Sequence, residues 1–132
     1  VVTDEKLMRL ISTTVGRRVM PELKKAFHFE ATRFEGFKIV CYDSEVKGFF
    51  HAHRDNLSPS TAHRRFALTL NLNTGYEGGH LIFPEYGPHL YKPDPGGAIL
   101  FSSSHLHEVT PVTKGKRFTL LSFLFGENDV RS

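Results

Sequence analysis

The stretch Gly48-Phe49-Phe50-His51-Ala52-His53-Arg54-Asp55 joins a β-strand pattern to side chains that bind metal ions. Alternate side chains of a strand point to the same face, so His53 and Asp55 project together. An imidazole and a carboxylate arranged in this way need one further ligand to complete a facial triad of two histidines and one carboxylate. Such a triad leaves positions on an iron(II) ion open for other molecules. The stretch therefore predicts half of a metal site.

The third ligand must come from another strand that folds alongside the first. The best candidate is His107, which lies 54 residues after His53 and leaves room for several intervening strands. Arg117 follows ten residues after His107, at the start of the next predicted strand. A guanidinium group binds a carboxylate through two parallel hydrogen bonds. We therefore expect an anion-binding position near the metal site.

The N-terminal region, residues 3–27, has the pattern of helices that support a sheet. Thr3 or Asp4 is suited to cap the first helix, and Pro21 suits the first turn of a second helix that ends at Phe27. Apolar residues recur on one face of the first helix at Leu7, Leu10, Ile11 and Val15. This spacing predicts an amphipathic helix that packs on the rest of the chain.

From Phe37 onward, short β-rich runs alternate with turns that contain Gly, Pro, Asn and Asp. The candidate strands are Phe37–Asp43, Phe49–Arg54, Arg65–Asn73, Gly79–Phe83, Leu90–Lys92, Ala98–Ser102, Leu106–Pro111 and Arg117–Phe125. About eight strands with frequent turns favour a jelly roll or barrel. We therefore predict a mainly β fold with N-terminal helices. The 132 residues form one domain, with helical support over 1–27 and a jelly-roll core over 37–125.

Composition excludes several classes of partner. The net charge is only +3 and the Lys and Arg residues are scattered, so nucleic acid is not expected. There is no apolar run long enough to cross a bilayer and no recognisable signal peptide, so no membrane partner is expected. The single Cys41 fits a reducing compartment such as the cytoplasm, and we expect its side chain to be buried in a strand.

The order His53-x-Asp55, His107 and Arg117 resembles the signature of the Fe(II)/2-oxoglutarate-dependent oxygenases, in particular the prolyl 4-hydroxylase-like family. Further segments of the sequence agree with this resemblance: Tyr42, Leu72-Asn73, Gly78–Pro84 and Pro95–Phe101. The resemblance covers about residues 37–125. A His-x-Asp motif alone occurs by chance, whereas its ordered combination with a later His and Arg is specific.

The resemblance implies a fold, a metal site and a co-substrate. The fold would be a double-stranded β-helix, the jelly roll of this family. Iron(II) would be bound by His53, Asp55 and His107, and 2-oxoglutarate would chelate it while Arg117 holds the distal carboxylate. Tyr42 matches a family tyrosine that hydrogen-bonds the co-substrate. Asn71 falls where the family places a polar residue near the same site, and Thr119 shares a strand face with Arg117, so we expect it to line the same pocket.

The resemblance also implies a reaction. A 2-oxoglutarate-dependent dioxygenase of this type consumes O2, forms succinate and CO2, and hydroxylates a C–H bond. The substrate would be a peptide or protein side chain, an amino acid or another small molecule. Ascorbate is left open as an additional cofactor.

Two alternatives keep the jelly roll and change the function. A cupin-like metalloprotein would use His51, His53 and His107 without 2-oxoglutarate, and Arg117 would then be dispensable. A non-catalytic binding module would show no iron-dependent turnover. On the oxygenase interpretation, His51 lies at the rim of the pocket, and four other histidines are expected in solvent: His28, His63, His80 and His89.

Overall fold

The computed structural model describes residues 1–46 and 50–129 and, for Phe50 and His51, only the backbone. The chain begins with two helices, α1 (Glu5–Arg18) and α2 (Met20–Phe27). The carboxylate of Asp4 accepts a hydrogen bond of 2.8 Å from the backbone N–H of Leu7, so the predicted N-cap is confirmed. Pro21 lies in the first turn of α2, where its missing N–H leaves no helical hydrogen bond unmade.

The rest of the described chain is built from short strands. They are β1 (Arg33–Phe34), β2 (Lys38–Asp43), β3 (Phe50–His53), β4 (Phe66–Asn71), β5 (Glu77–Gly78), β6 (Leu81–Ile82), β7 (Ala98–Ser102), β8 (His107–Val109), β9 (Val112–Lys114) and β10 (Lys116–Phe125). Single turns of 3-10 helix lie at Ser44–Val46 and Pro84–Tyr86. The described chain is therefore mainly β with N-terminal helices, as predicted.

The strand pairs of the described residues are antiparallel, and most of them form a large and a small sheet that face each other. In the five-stranded sheet, β10 pairs with both β1 and β2 along one side and with β4 on the other, and β7 lies beyond β4. In the three-stranded sheet, β8 lies between β3 and β6. Strands β5 and β9 form a separate pair. This arrangement brings the strands that carry the predicted metal ligands opposite the strand that carries Arg117.

The two faces of the large sheet are buried by different partners. Side chains alternate along a strand, so Phe66 and Leu68 of β4 face the helices while Ala67 between them faces the small sheet. Leu23 of α2 and Leu124 of β10 are both 0% exposed and pack together on the helical side. Complete burial of one such leucine contributes about 1.5–3 kcal/mol to folding. The helices therefore stabilise the sheet, and the space between the sheets is left for the site.

Several elements differ from the sequence-based expectation. The strand expected at Gly79–Phe83 begins only at Leu81, and Gly79 has a φ of +65°, which lies in the left-handed region rather than in the extended region of a regular strand. The strand expected at Leu90–Lys92 is a single bridge between Tyr91 and Leu81. Strands β1, β5 and β9 were not predicted, since two or three residues are too few to show a periodicity.

The expectation that Cys41 is buried is wrong. Cys41 lies on β2 and is exposed. Its strand partner Phe118 is 38% exposed and the nearby Ile39 is 49% exposed, so the described residues leave this part of the outer face open to solvent. In the described part of the chain, neither helix has the length and apolar character needed to span a membrane.

Candidate metal and co-substrate site

The three predicted metal ligands come together at the end of the small sheet. His53 of β3 and His107 of β8 are direct cross-strand partners, and their ring centroids are 4.4 Å apart. Asp55 lies two residues after His53 and is tied to the chain before β8 by a 2.9 Å hydrogen bond from its N–H to the carbonyl oxygen of Ser103. One ligand atom from each of the three side chains lies within 4.8 Å of the others. The cross-strand pairing of the two histidines and the hydrogen bond of Asp55 to Ser103 thus bring the three candidate ligands together.

The Asp55 carboxylate lies between the two imidazoles. Its Oδ1 is 3.2 Å from Nε2 of His53, and its Oδ2 is 3.4 Å from Nε2 of His107. The side chains of Asp55 and His107 are 10% and 8% exposed, whereas that of His53 is 42% exposed. Two nitrogen donors and a carboxylate fit an iron(II) ion that keeps open positions for other molecules. These residues therefore fit the metal that the motif implies.

A backbone carbonyl fixes the orientation of His107. Its Nδ1 lies 3.1 Å from the carbonyl oxygen of His105. A carbonyl only accepts, so Nδ1 carries the proton and Nε2 presents its lone pair to the site. Burial lowers the pKa of the His107 imidazole, and this exceeds the opposing effect of the Asp55 charge. His107 is thus held neutral and oriented as a metal ligand requires.

A cavity of about 270 Å³ extends from the triad between the two sheets. Its apolar wall includes Leu81, Phe101 and Val109, all buried. The cavity is lined at its inner end by Tyr42 and Arg117, which are 5% and 3% exposed. The space is therefore continuous from the metal ligands to the predicted carboxylate anchor.

Arg117 is a buried cation with no anionic partner among the described residues. Its guanidinium lies 5.1 Å from the centre of the Tyr42 ring, and its Nε has no hydrogen-bond partner within the described chain. The backbone comes close at Gly79, where a Cβ atom would lie 3.0 Å from Cδ of Arg117. A buried charge is costly unless an opposite charge pairs with it. The inner end of the cavity therefore fits a carboxylate ligand.

Tyr42 is a neutral hydrogen-bond donor at the same end of the cavity. Burial raises the pKa of the Tyr42 phenol, and this outweighs the lowering effect of the Arg117 charge and hydrogen bond. Tyr42 and Arg117 are also strand partners in β2 and β10, so the pairing fixes their relative position. The two side chains together can donate hydrogen bonds to one carboxylate.

The two remaining predicted residues, Asn71 and Thr119, lie outside the lining of the cavity. They are strand partners on β4 and β10 and are 2% and 0% exposed. The Asn71 amide donates to the Tyr76 hydroxyl at 3.0 Å and to the Pro93 carbonyl at 2.8 Å. Oδ1 of Asn71 and Oγ1 of Thr119 have no hydrogen-bond partner among the described residues. A direct contact of either residue with a co-substrate stays a prediction.

The mouth of the cavity is formed by Glu35, Lys38 and Arg64. The Glu35 carboxylate accepts hydrogen bonds from Nε of Arg64 at 2.7 Å and from its second terminal nitrogen at 3.1 Å. Arg64 also donates to the carbonyl oxygen of Asp55 at 3.3 Å and stacks 3.7 Å from the centre of the Phe123 ring. Glu35 follows the two-residue β1, which gives no recognisable sequence signal.

One of the expectations for the other histidines is wrong. His63 is 3% exposed rather than solvated, because its Nε2 bonds to Glu35 at 2.7 Å and its ring packs edge-on against Phe125. The side chain of His51 lies outside the described residues. The cupin-like alternative that needs it therefore stays a prediction.

Sequence comparison places this arrangement among known proteins. The chain matches the model of the 2OG-Fe(II) oxygenase superfamily over residues 37–125. A PKHD-type hydroxylase of Psychrobacter sp. is 33% identical over 115 residues, which cover 86% of this chain and 41% of that protein. The chain thus spans less than half the length of this relative.

Solved structures agree on the fold. A prolyl-4-hydroxylase of Pseudomonas putida has a TM-score of 0.73 and 21% identity over 96% of this chain and 68% of that one. A Trichoplax adhaerens prolyl hydroxylase in complex with a hypoxia inducible factor peptide fragment has a TM-score of 0.72 and 19% identity, over 92% and 57% of the two chains. The double-stranded β-helix is therefore confirmed. Because the family match includes every strand from β2 to β10, this chain belongs to the 2OG-Fe(II) oxygenase superfamily.

Proposed function

We propose that this chain is an iron(II)- and 2-oxoglutarate-dependent hydroxylase. Iron(II) would be held by His53, Asp55 and His107, and the distal carboxylate of 2-oxoglutarate by Arg117. The observation that carries the proposal is the buried Arg117, which has no anionic partner among the described residues and lines the same cavity as the three candidate metal ligands. Membership of the 2OG-Fe(II) oxygenase superfamily and likeness to a PKHD-type hydroxylase support it.

The protein's own residues have separate tasks in this proposal. Arg117 neutralises and orients the co-substrate carboxylate, and the Tyr42 phenol donates a further hydrogen bond to it. The apolar side chains of Leu81, Phe101 and Val109 exclude water from the reacting centre. When iron(II), 2-oxoglutarate and O2 are bound, they supply the oxidation of a substrate C–H bond, with succinate and CO2 as the other products.

The proposed substrate enters at the mouth of the cavity, beside Glu35, Lys38 and Arg64. A peptide, an amino acid or another small molecule is consistent with a cavity of about 270 Å³ that is open at one end. The peptide bound to the Trichoplax relative supports a peptide substrate within this range. Ascorbate as an accessory reductant is part of the same proposal.

The test is spectroscopic and does not need the substrate. Iron(II) and then 2-oxoglutarate are added without oxygen, and the visible metal-to-ligand charge-transfer band is recorded. We expect the band in the wild type and in the exposed-histidine control His89→Ala, but not in His107→Ala. Succinate formation with candidate substrates follows under oxygen.

Each other outcome contradicts the proposal in a different way. Iron binding without the band favours the cupin-like alternative, in which 2-oxoglutarate plays no part. A failure to bind iron favours the non-catalytic binding module. A band that persists in His107→Ala removes His107 from the ligand set.

A further inference from the structure

The cavity has a gradient of exposure along strand β2. Tyr42, Val40 and Lys38 alternate along β2, share one face and all line the cavity. Tyr42 is 5% exposed at the inner end, whereas Lys38 is exposed at the mouth. At about 3.3 Å per residue, the two positions are roughly 13 Å apart along the strand. Lys38 is therefore far from the proposed 2-oxoglutarate anchor and beside the path of an entering substrate.

The other charged groups at the mouth are already paired. The Glu35 carboxylate is occupied by Arg64 and by His63, at 2.7 Å from each. Arg64 is fixed further by its stacking on Phe123. Within residues 1–46 and 50–129, no carboxylate forms an ion pair with Lys38. Lys38 thus presents an uncompensated positive charge to the cavity.

The charge balance of the loaded site points to the kind of substrate that Lys38 faces. With the proposed ligands bound, iron(II) is balanced by Asp55 and by the chelating carboxylate of 2-oxoglutarate. The distal carboxylate balances Arg117, and Glu35 balances Arg64. Lys38 is the cation that remains among the described lining residues. We infer that Lys38 is a specificity residue that binds a carboxylate group of the substrate.

This inference rests on the proposed function and narrows its substrate class. A single ammonium group at a solvated mouth matches one negative charge, as a carboxylate supplies. The carboxylate has two possible sources: the free α-carboxylate of an amino acid or peptide end, or the side chain of an acidic residue. Both sources offer the same charged oxygen atoms to Lys38, and different probes distinguish them.

The experiment compares matched acidic and neutral probes on the anaerobic iron(II)–2-oxoglutarate complex. The first set tests the α-carboxylate: it compares each N-acetyl amino acid with the corresponding N-acetyl amino acid amide. The second set tests an acidic side chain: it compares acetylated X-Asp amides with acetylated X-Asn amides, where X is each amino acid in turn. Binding is measured as the shift of the charge-transfer band, and succinate formation under oxygen gives KM. The set with the preferred acidic member identifies the source of the carboxylate.

We expect the acidic member of at least one pair to bind about tenfold more tightly than its neutral partner, which corresponds to about 1.4 kcal/mol. Lys38→Met should remove this preference, and Lys38→Glu should reverse it. Lys25→Met, which removes an exposed lysine of α2 outside the cavity, should keep it. The preference should also fall as ionic strength rises, because the mouth is open to solvent.

Two results would overturn the inference. The first is that the wild type shows no preference for the acidic probes, or binds none of them. The second is that the preference for the acidic probes survives in Lys38→Met. In both cases a normal charge-transfer band leaves the proposed function standing. Absence of the band in the wild type would overturn the proposed function, and the role of Lys38 with it.

Discussion

His53 and His107 are paired directly across β3 and β8, with ring centroids 4.4 Å apart. The two imidazoles therefore owe their spacing to the backbone hydrogen bonds of a sheet rather than to a loop. Asp55 follows β3 closely, and its backbone is bonded to Ser103 just before β8 begins. The three candidate ligands are thus positioned by one pair of strands and by the turn that follows β3.

Loss of the Asp55 carboxylate should abolish metal-dependent chemistry without unfolding the protein. In Asp55→Ala we expect no charge-transfer band with iron(II) and 2-oxoglutarate and no succinate, because two imidazoles alone do not complete the triad. The circular dichroism spectrum should be unchanged, since Asp55 packs at the site and not in the core. Asp94→Ala, at an exposed position in a loop, is the control and should behave as the wild type. Full activity in Asp55→Ala would remove this residue from the triad.

Arg117 should govern 2-oxoglutarate affinity independently of iron affinity. Arg117→Met keeps most of the volume of the side chain but removes the charge that the proposed carboxylate meets. We expect 2-oxoglutarate binding to weaken by roughly 2–5 kcal/mol, the usual effect of truncating one partner of a buried charge pair. The iron(II) affinity, measured by calorimetric titration, should remain near the wild-type value. An unchanged affinity for 2-oxoglutarate would mean that another residue anchors the co-substrate.

Gly79 should matter for the position of Arg117 as well as for backbone strain. Gly79→Ala places a Cβ atom 3.0 Å from Cδ of Arg117 and 3.0 Å from Cγ2 of Val112, at a residue with a φ of +65°. We expect a loss of about 1–2 kcal/mol in folding stability from the left-handed backbone, together with weaker 2-oxoglutarate binding. Both quantities can be measured, by thermal unfolding and by titration of the charge-transfer band.

A matched control separates the two effects in Gly79→Ala. Gly75 has a φ of +84°, and a Cβ atom added there meets nothing within 4 Å. Gly75→Ala should therefore lose stability through the left-handed backbone alone and bind 2-oxoglutarate normally. Equal binding by both variants would show that the close contact at Gly79 does not position Arg117.

The features that could be predicted from sequence are those with a local composition signal or a fixed spacing. Short β-rich runs between turn residues indicate β2, β4 and β10 closely. The ordered spacing of His53, Asp55, His107 and Arg117 indicated residues that the structure brings to one cavity.

Features that depend on distant contacts could not be predicted. The sequence indicates that His63 is a solvated loop residue. In the structure it is buried, because its imidazole bonds to Glu35, which lies 28 residues earlier in the chain. Cys41 looked like a buried strand residue, but its burial depends on whether a helix covers that part of the sheet. The local sequence around each residue does not record these contacts, so only tertiary structure decides the exposure of such residues.

The cluster formed by Glu35, His63 and Arg64 (the Glu35 cluster) should make folding stability depend on pH. Burial raises the pKa of the Glu35 carboxyl, but the hydrogen bonds and charges of Arg64 and His63 outweigh it and hold the pKa below 4.5. A carboxyl group whose pKa is lower in the folded protein adds stability above its unfolded pKa, and this is lost as pH falls through the folded value. In Glu35→Gln we expect the free energy of unfolding to fall by about 1–3 kcal/mol near neutral pH, the usual cost of losing a hydrogen bond to a charged group. The difference from wild type should shrink below about pH 4.

Denaturant unfolding at a series of pH values measures this difference. Glu30→Gln removes an exposed carboxylate nearby and should match the wild type across the range. A constant difference between Glu35→Gln and the wild type at every pH would mean that packing, and not the charge of Glu35, stabilises the cluster. A difference that grows as the pH falls would give the opposite sign and contradict the lowered pKa.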